Sequence, residues 1–241
     1  MNTIYMKNIY GIYFICCINN YLEVVEEQLS ILNEGLLQNT KQLIIFITNY
    51  THTSIELDNI ISKYNIDNAK FILVTSSENV YEKFAINNYK KYIVDDDYYL
   101  YYFHTKGLKN KEDPLMNVFS SRRQILNYYT LKMYNINIQL LENYDVVGCS
   151  LHLYPKKHFS GNFWWSKSSY VNLLRNINDK YLSPEMYILS NDACKYISLS
   201  NNTNNILYED FTFHDHSTIE KNITTDFIII EPHKDLLHLC E

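Results

Sequence analysis

The sequence predicts an α/β protein: a mixed, mostly parallel sheet flanked by helices. Three near-continuous apolar runs, at 8–18, 41–49 and 70–76, alternate with segments of helical periodicity, and each run closes on Asn, Thr or Ser. Unbroken apolar runs of this length are what strands covered on both faces require. Strands that alternate with helices pair in parallel through right-handed crossovers. Ligands of such sheets bind outside the carboxyl ends of the strands, so residues 17–20, 48–50 and 75–78 are the first places to look for function.

The elements follow in order. NIYGIYFICCI (8–18) is a buried strand that ends at Asn19 and Asn20. In YLEVVEEQLSILNEGLL (21–37), Leu22, Val25, Leu29, Leu32 and Leu36 fall at helical spacing with carboxylates between them, which makes an amphipathic helix. KQLIIFITN (41–49) is the second strand, IELDNIISKY (55–64) a polar helix and KFILVTS (70–76) the third strand. A helix over about 78–91 leads into the acidic turn Asp95-Asp96-Asp97 and the aromatic strand YYLYYFHTKG (98–107). Beyond Pro114 the pattern predicts one long helix over 116–142, with Arg122 and Arg123 in its first turns. YDVVGCSLHL (144–153) reads as one strand, and FSGNFWWSKSSYVNLLRNI (159–177) as a loop running into a helix. LSPEMYILSNDACKYI (182–197) reads as a helix started by Pro184. The tail mixes an Asn-rich loop with the apolar strand DFIIIE (226–231). No repeat or linker interrupts the chain, so residues 1–241 read as a single domain with 198–241 as a C-terminal extension.

Composition narrows the function. Five Gly and four Pro among 241 residues, with 20% charged, exclude collagen-like, low-complexity and disordered chains. A net charge of −6 has the wrong sign for gripping phosphate backbones, so nucleic acid is not an expected partner; a local basic pocket for one small phosphorylated ligand remains compatible with it. Five cysteines, an odd number with no CxxC, suit buried thiols in a reducing compartment. No apolar stretch reaches the ~18 residues of a membrane span, and the apolar N-terminal segment has no small-residue cleavage site. The expectation is a soluble, cytoplasmic protein.

Motif templates remove further classes: there is no GxGxxG, P-loop, GxSxG, HExxH or paired CxxC. What remains is a set of local constellations. Phe103-His104-Thr105-Lys106-Gly107 ends a strand with an imidazole, a hydroxyl, an ammonium and a glycine, groups that suit a diphosphate; the plainer reading is a strand leaving the core into a polar turn. Phe159-Ser160-Gly161-Asn162-Phe163-Trp164-Trp165 holds both tryptophans and reads as a carbohydrate platform or as an aromatic anchor for the core. Glu185, in Ser183-Pro184-Glu185, is a candidate general base or simple first-turn dressing of a helix. Asp95 and Asp97 fit a loose DxD metal pattern but precede their strand, which favours a solvated turn, and His214 with His216 is weak as a metal pair.

In order, these motifs, CINN, FHTKG, SSRRQ, DVVGCS, FSGNFWW and SPEMYI, resemble a nucleotide-sugar-dependent glycosyltransferase of the GT-A (Rossmann-like) fold, of the kind found in surface-glycan loci and large DNA viruses. The resemblance runs from about residue 8 to residue 195, and HTKG and SGNFWW are its most specific parts. It implies an enzyme that transfers a sugar from a nucleoside diphosphate, a UDP-sugar first, to a glycan hydroxyl, with inversion. It implies Cys17, Asn19 and Asn49 at the base and ribose, and His104, Thr105, Lys106 and Gly107 where many GT-A enzymes carry Asp-x-Asp. It implies Arg122 and Arg123 at the diphosphate, Ser160, Gly161, Asn162, Phe163, Trp164 and Trp165 around donor sugar and acceptor, and Glu185 as catalytic base. No metal ligands are assigned; Mn or Mg is compatible with this arrangement and not required by it. The rival reading is a non-catalytic carbohydrate-binding protein on the same fold, with Trp164 and Trp165 as its stacking surface.

Overall fold

A computed structural model of the chain describes residues 7–49, 55–74, 82–109, 112–178, 180 and 183–199. The elements are β1 (Asn8–Cys16), α1 (Tyr21–Leu32), α2 (Leu36–Asn39), β2 (Thr40–Thr48), α3 (Ile55–Lys63), β3 (Ala69–Val74), α4 (Lys83–Asn88), β4 (Tyr98–His104), α5 (Met116–Asn127) and α6 (Tyr134–Leu140). After them come β5 (Val146–Gly148), β6 (Leu151–His152), β7 (His158–Phe159), β8 (Trp164–Lys167), α7 (Ser168–Val171), α8 (Ser183–Tyr187) and β9 (Tyr196–Ser198).

Seven strands form one sheet in the order β3-β2-β1-β4-β8-β5-β9. All its pairings are parallel except those of β8, which runs antiparallel between β4 and β5. This is the mixed, mostly parallel α/β class expected. The apolar runs of β1, β2 and β4 bury side chains on both faces because helices cover both. Tyr13, Ile15, Ile45 and Phe103 pack under α1, α5 and α6, whereas Tyr10, Ile12, Phe46 and Tyr102 pack under α4, α7 and α8. On α1, Val25, Leu29 and Leu32 form the stripe that meets the first of these clusters.

The topology selects one place on this sheet. From β1 the chain moves outward to β2 and β3, then returns to β4 on the other side of β1. The crossovers therefore diverge between β1 and β4, and the carboxyl ends of these two strands mark the switch point beside which open α/β sheets bind ligands.

Several expected elements differ in extent. The helix predicted over 116–142 is interrupted by a π-turn at Tyr128–Lys132, which Asn137 braces by donating to the carbonyl of Tyr129 at 2.7 Å. The helix predicted over 78–91 is α4 followed by a 3-10 turn at Tyr89–Tyr92. The single strand predicted over 144–153 is split into β5 and β6, since Ser150 takes a left-handed φ of 57° that a continuous strand cannot hold. Part of the expected FSGNFWW loop is strand, β8. The predicted strand at 226–231, His214 and His216 lie outside the described residues.

Candidate functional site

Left-handed backbone gathers where the topology points. Asn19 follows β1 with φ 51°, Asn49 follows β2 with φ 55°, and Gly107 follows β4 with φ 70°. Cys17, Asn19 and Asn49 thus stand at the carboxyl ends of β1 and β2. The amide of Asn49 donates to Cys16 Sγ at 3.4 Å, and that of Asn19 donates to the Leu108 carbonyl at 3.3 Å. Burial pushes the Cys17 thiol up to about 12, with Cys16 adding to the shift, so it is a neutral contact at physiological pH.

Thr105 ties β1 and β4 together. Its N–H donates to the Phe14 carbonyl at 3.0 Å, and its hydroxyl accepts from the Cys16 N–H at 3.0 Å. Beneath it, Gln28 on α1 donates to the His104 carbonyl at 2.9 Å and to Asn127 at 3.0 Å, and accepts from the Tyr13 hydroxyl at 2.8 Å. Beside that network Arg123 grips Glu27 through two nitrogens, at 3.2 Å and 2.8 Å, and donates to the Lys106 carbonyl at 3.2 Å. Arg123 is only 3% exposed. It therefore braces the backbone under Lys106, and the diphosphate contact expected of it is corrected: its donors are committed to Glu27.

Lys106 points the other way, into a small polar notch. Its Nζ lies 3.5 Å from Glu185 Oε1, and the Gly161 N–H donates to the same oxygen at 3.3 Å. His158 Nε2 lies 3.9 Å from Glu185 Oε2, and Arg122 donates to the Ser160 hydroxyl. Burial, together with the charges of His158 and Arg122, lowers the pKa of His152 against the opposing pull of Glu185. Positive charge is thus concentrated around one carboxylate. The turn that supplies Gly161 depends on left-handed backbone, φ 101° at Gly161 and 57° at Asn162. A Cβ on Gly161 would approach Leu126 Cδ1 to 2.6 Å.

His104 departs from expectation. Its ring is 5% exposed and turns into the core, where Nδ1 lies 2.7 Å from Glu82 Oε1 and the ring meets Phe163 edge-on at 5.2 Å. Its Nε2 is buried with no partner among the described residues. Glu82 also accepts from Asn162 at 2.6 Å and from the Tyr102 hydroxyl at 3.0 Å. Burial alone would raise the pKa of Glu82, but His104, Lys106 and the Asn162 hydrogen bond outweigh it and hold the carboxyl below its usual range.

The aromatic platform is also corrected. Trp164 and Trp165 are 0% and 1% exposed, on opposite faces of β8. Trp164 stacks on Tyr102 and donates from Nε1 to Asn162 at 3.0 Å, while Trp165 lies against Tyr101 and donates to the Thr130 carbonyl at 2.7 Å. Phe163 is fully buried as well. These rings support the turn at Ser160 and Gly161 from within, so no ring of the three is open to stack on a sugar.

Asp95 and Asp97 lie at the amino end of β4, across the sheet from the notch. Lys41, Asn8 and Tyr10 engage Asp95, and Lys7 engages Asp97 at 2.6 Å. Among the described residues no three His, Cys, Asp or Glu side chains converge to hold a metal. A cavity of about 650 Å³ lies apart from the notch, lined by Leu174, Ile177, Met186, Tyr187 and neighbours. Lys106, Arg122 and Glu185 do not line it, and polar side chains such as Arg175, Asn178 and Asp192 share its wall with the apolar ones.

Sequence reasoning did not find Glu82, His152 or His158. For the two histidines the only signal was their bracketing of a Pro-Lys-Lys turn, six residues apart. For Glu82 there was none, because its partners lie 20 and 80 positions away.

A family model described as "Domain of unknown function (DUF8361)" matches residues 12–213. The chain belongs to this family. No curated protein matches it. Among solved structures, this DUF8361 member is similar to mannosyltransferase PcManGT from Pyrobaculum calidifontis in complex with GDP-Man and Mn2+, at 11% identity and TM-score 0.47 over 76% of this chain. The chain spans 50% of the length of that mannosyltransferase. It is similar to 4-diphosphocytidyl-2C-methyl-D-erythritol synthase from Anaerococcus prevotii, at 9% identity and TM-score 0.47, covering 85% of this chain and 94% of that one. It is also similar to HddC from Yersinia pseudotuberculosis, at 12% identity and TM-score 0.44, covering 81% and 92%. Among the described residues no helix is long and apolar enough to cross a membrane.

Proposed function

We propose that the chain is a glycosyltransferase that moves a sugar from a nucleoside-diphosphate sugar, UDP-sugars being the first to test, to a glycan hydroxyl in a single inverting step. The observation that carries this reading is the notch itself. Two basic side chains, Lys106 beside the carboxylate of Glu185 and Arg122 on the neighbouring Ser160, stand at the carboxyl end of β4, at the switch point of the topology between β1 and β4. A diphosphate leaving group needs preorganised positive charge in a partly dry site, and an acceptor hydroxyl needs a base.

In this mechanism the acceptor oxygen attacks the anomeric carbon and gives its proton to Glu185. The bond from that carbon to the phosphate oxygen breaks, and its electron pair leaves with the diphosphate, stabilised by Lys106, Arg122 and the Gly161 N–H. Cys17, Asn19 and Asn49 stand at the strand ends where base and ribose would lie, and Thr105 and Arg123 hold the Lys106 backbone in place. His104 acts through Glu82 on the Asn162 turn rather than on phosphate. A carbohydrate-binding protein without catalysis would use Trp164 and Trp165 as its surface, and their burial removes the observation on which that reading stood.

The test is calorimetry and transfer assays with UDP-, GDP- and dTDP-sugars, with and without manganese. Lys106→Ala and Glu185→Gln are each expected to lower turnover by about 10²-fold while leaving the circular dichroism spectrum unchanged, the usual cost of removing one electrostatic or proton-transfer partner. Absence of binding by every nucleotide sugar, or near-normal turnover in both variants, would refute the assignment.

A further inference from the structure

At rest Glu185 stands closer to Lys106 than the two can stand once a sugar lies between them. In an in-line displacement the attacking oxygen and the leaving oxygen lie on opposite faces of the anomeric carbon. The base and the leaving-group cation must then be separated by the sugar; in inverting glycoside hydrolysis the two working carboxyls are about 6.5–9.5 Å apart for a comparable reason. Here the carboxylate is 3.5 Å from the ammonium, and it also takes the Gly161 N–H at 3.3 Å.

The groups around that carboxylate are the ones a phosphate would choose: an ammonium, a backbone N–H from a left-handed turn, and an imidazole. His158 is oriented for this. Its Nδ1 lies 2.8 Å from the Lys156 carbonyl, which can only accept, so Nδ1 carries the proton and Nε2 faces the carboxylate at 3.9 Å. From that tautomer Nε2 donates to an anion in the imidazolium form of the ring. Arg122, held on Ser160, adds its charge from α5, while Glu82 is hydrogen-bonded to His104 and Asn162 and acts on Lys106 only through its charge.

We propose that Lys106 Nζ, the Gly161 N–H and His158 Nε2 form one anion cradle, which Glu185 fills as an internal counter-ion until a diphosphate displaces it. His158 thereby becomes a ligand-binding residue, and the exchange releases Glu185 to accept the proton of the acceptor hydroxyl. The base is thus freed only when the leaving group is seated. The inference rests on the diphosphate reading of the notch, and the test separates the two.

The full chain is titrated by calorimetry with UDP and, separately, with inorganic pyrophosphate, as wild type, Glu185→Gln, Glu185→Ala, His158→Gln and Lys106→Ala. Removing the internal counter-ion is expected to tighten binding of both probes by about three- to tenfold, the worth of one half-buried ion pair. His158→Gln and Lys106→Ala are expected to weaken it. Two Glu185 variants are used so that loss of fold in one, read by circular dichroism, leaves the other to decide. If wild type binds UDP and both folded Glu185 variants bind it equally or less tightly, the cradle is refuted while the nucleotide reading stands. If pyrophosphate binds and tightens in the Glu185 variants while UDP binds none of the proteins, the cradle stands and the nucleotide reading falls. If neither probe binds any variant, both fall.

Discussion

Consecutive residues on a helix point about 100° apart, and on α5 that angle assigns Arg122 and Arg123 to different surroundings. Arg122 reaches Ser160 at the notch, whereas Arg123 is sealed against Glu27 and the Lys106 carbonyl. Truncating Arg123 leaves a carboxylate facing a hole in the core, so Arg123→Ala is expected to lower unfolding free energy by about 2–3 kcal/mol in urea denaturation. Arg122→Ala is expected to change stability by only about 0.5 kcal/mol and to act on nucleotide binding instead. The adjacent pair stood out in a chain with three arginines, but which of the two faces a ligand depends on the rotation of a helix whose partners are remote in sequence. Cys17 belongs to the same scale. With its thiol pushed up to about 12, its peptide is expected to react with iodoacetamide far more slowly in the native protein than in denaturant, as mass spectrometry would read. Equal rates would show the thiol to be neither buried nor neutral.

At the scale of elements, the central strands were legible because burial on both faces writes itself as an unbroken apolar run, and β1, β2 and β4 lie where such runs predict. β8 was not, since four residues are too few to show a period and its two tryptophans point to opposite faces. Nor was the π-turn at Tyr128–Lys132, because the helical pattern continues through it and the bracing group, Asn137, sits one turn downstream. The turn between β7 and β8 is the element on which the notch depends. Gly161→Ala would put a methyl at 2.6 Å from Leu126 and force a side chain onto φ 101°. It is expected to destabilise by about 1–3 kcal/mol and to weaken nucleotide binding together with stability. A variant as stable as wild type would show that the turn relaxes without cost.

At the scale of the molecule, Glu82 joins α4 to β4 and to the β7–β8 turn through His104, Tyr102 and Asn162. Its carboxyl titrates lower in the folded chain than in the unfolded one, so the unfolded state binds the proton more readily. That contribution to stability is complete above the ordinary carboxylate pKa and is lost as pH falls through the depressed folded value. Thermal melts are therefore expected to show Glu82→Gln less stable than wild type at about pH 7, with the gap closing below about pH 4. A gap that persists in acid would mean that the carboxylate's charge is not what joins these elements. Of the candidate site, the lip of the sheet and the Lys106, Arg122 and Glu185 positions were legible as motifs. The pairing of Glu82 with His104 and the approach of His158 to Glu185 were not, because they arise only when distant segments fold together.

The interior position of both indoles makes the chain its own optical gauge. The protein has two tryptophans, and one of them, Trp164, is a single hydrogen bond from Asn162, whose neighbour Gly161 faces Glu185. Emission from the native protein is thus expected to be blue-shifted relative to the unfolded chain, and an occupant that moves the 160–162 turn is expected to register as a change in quantum yield without a label being attached.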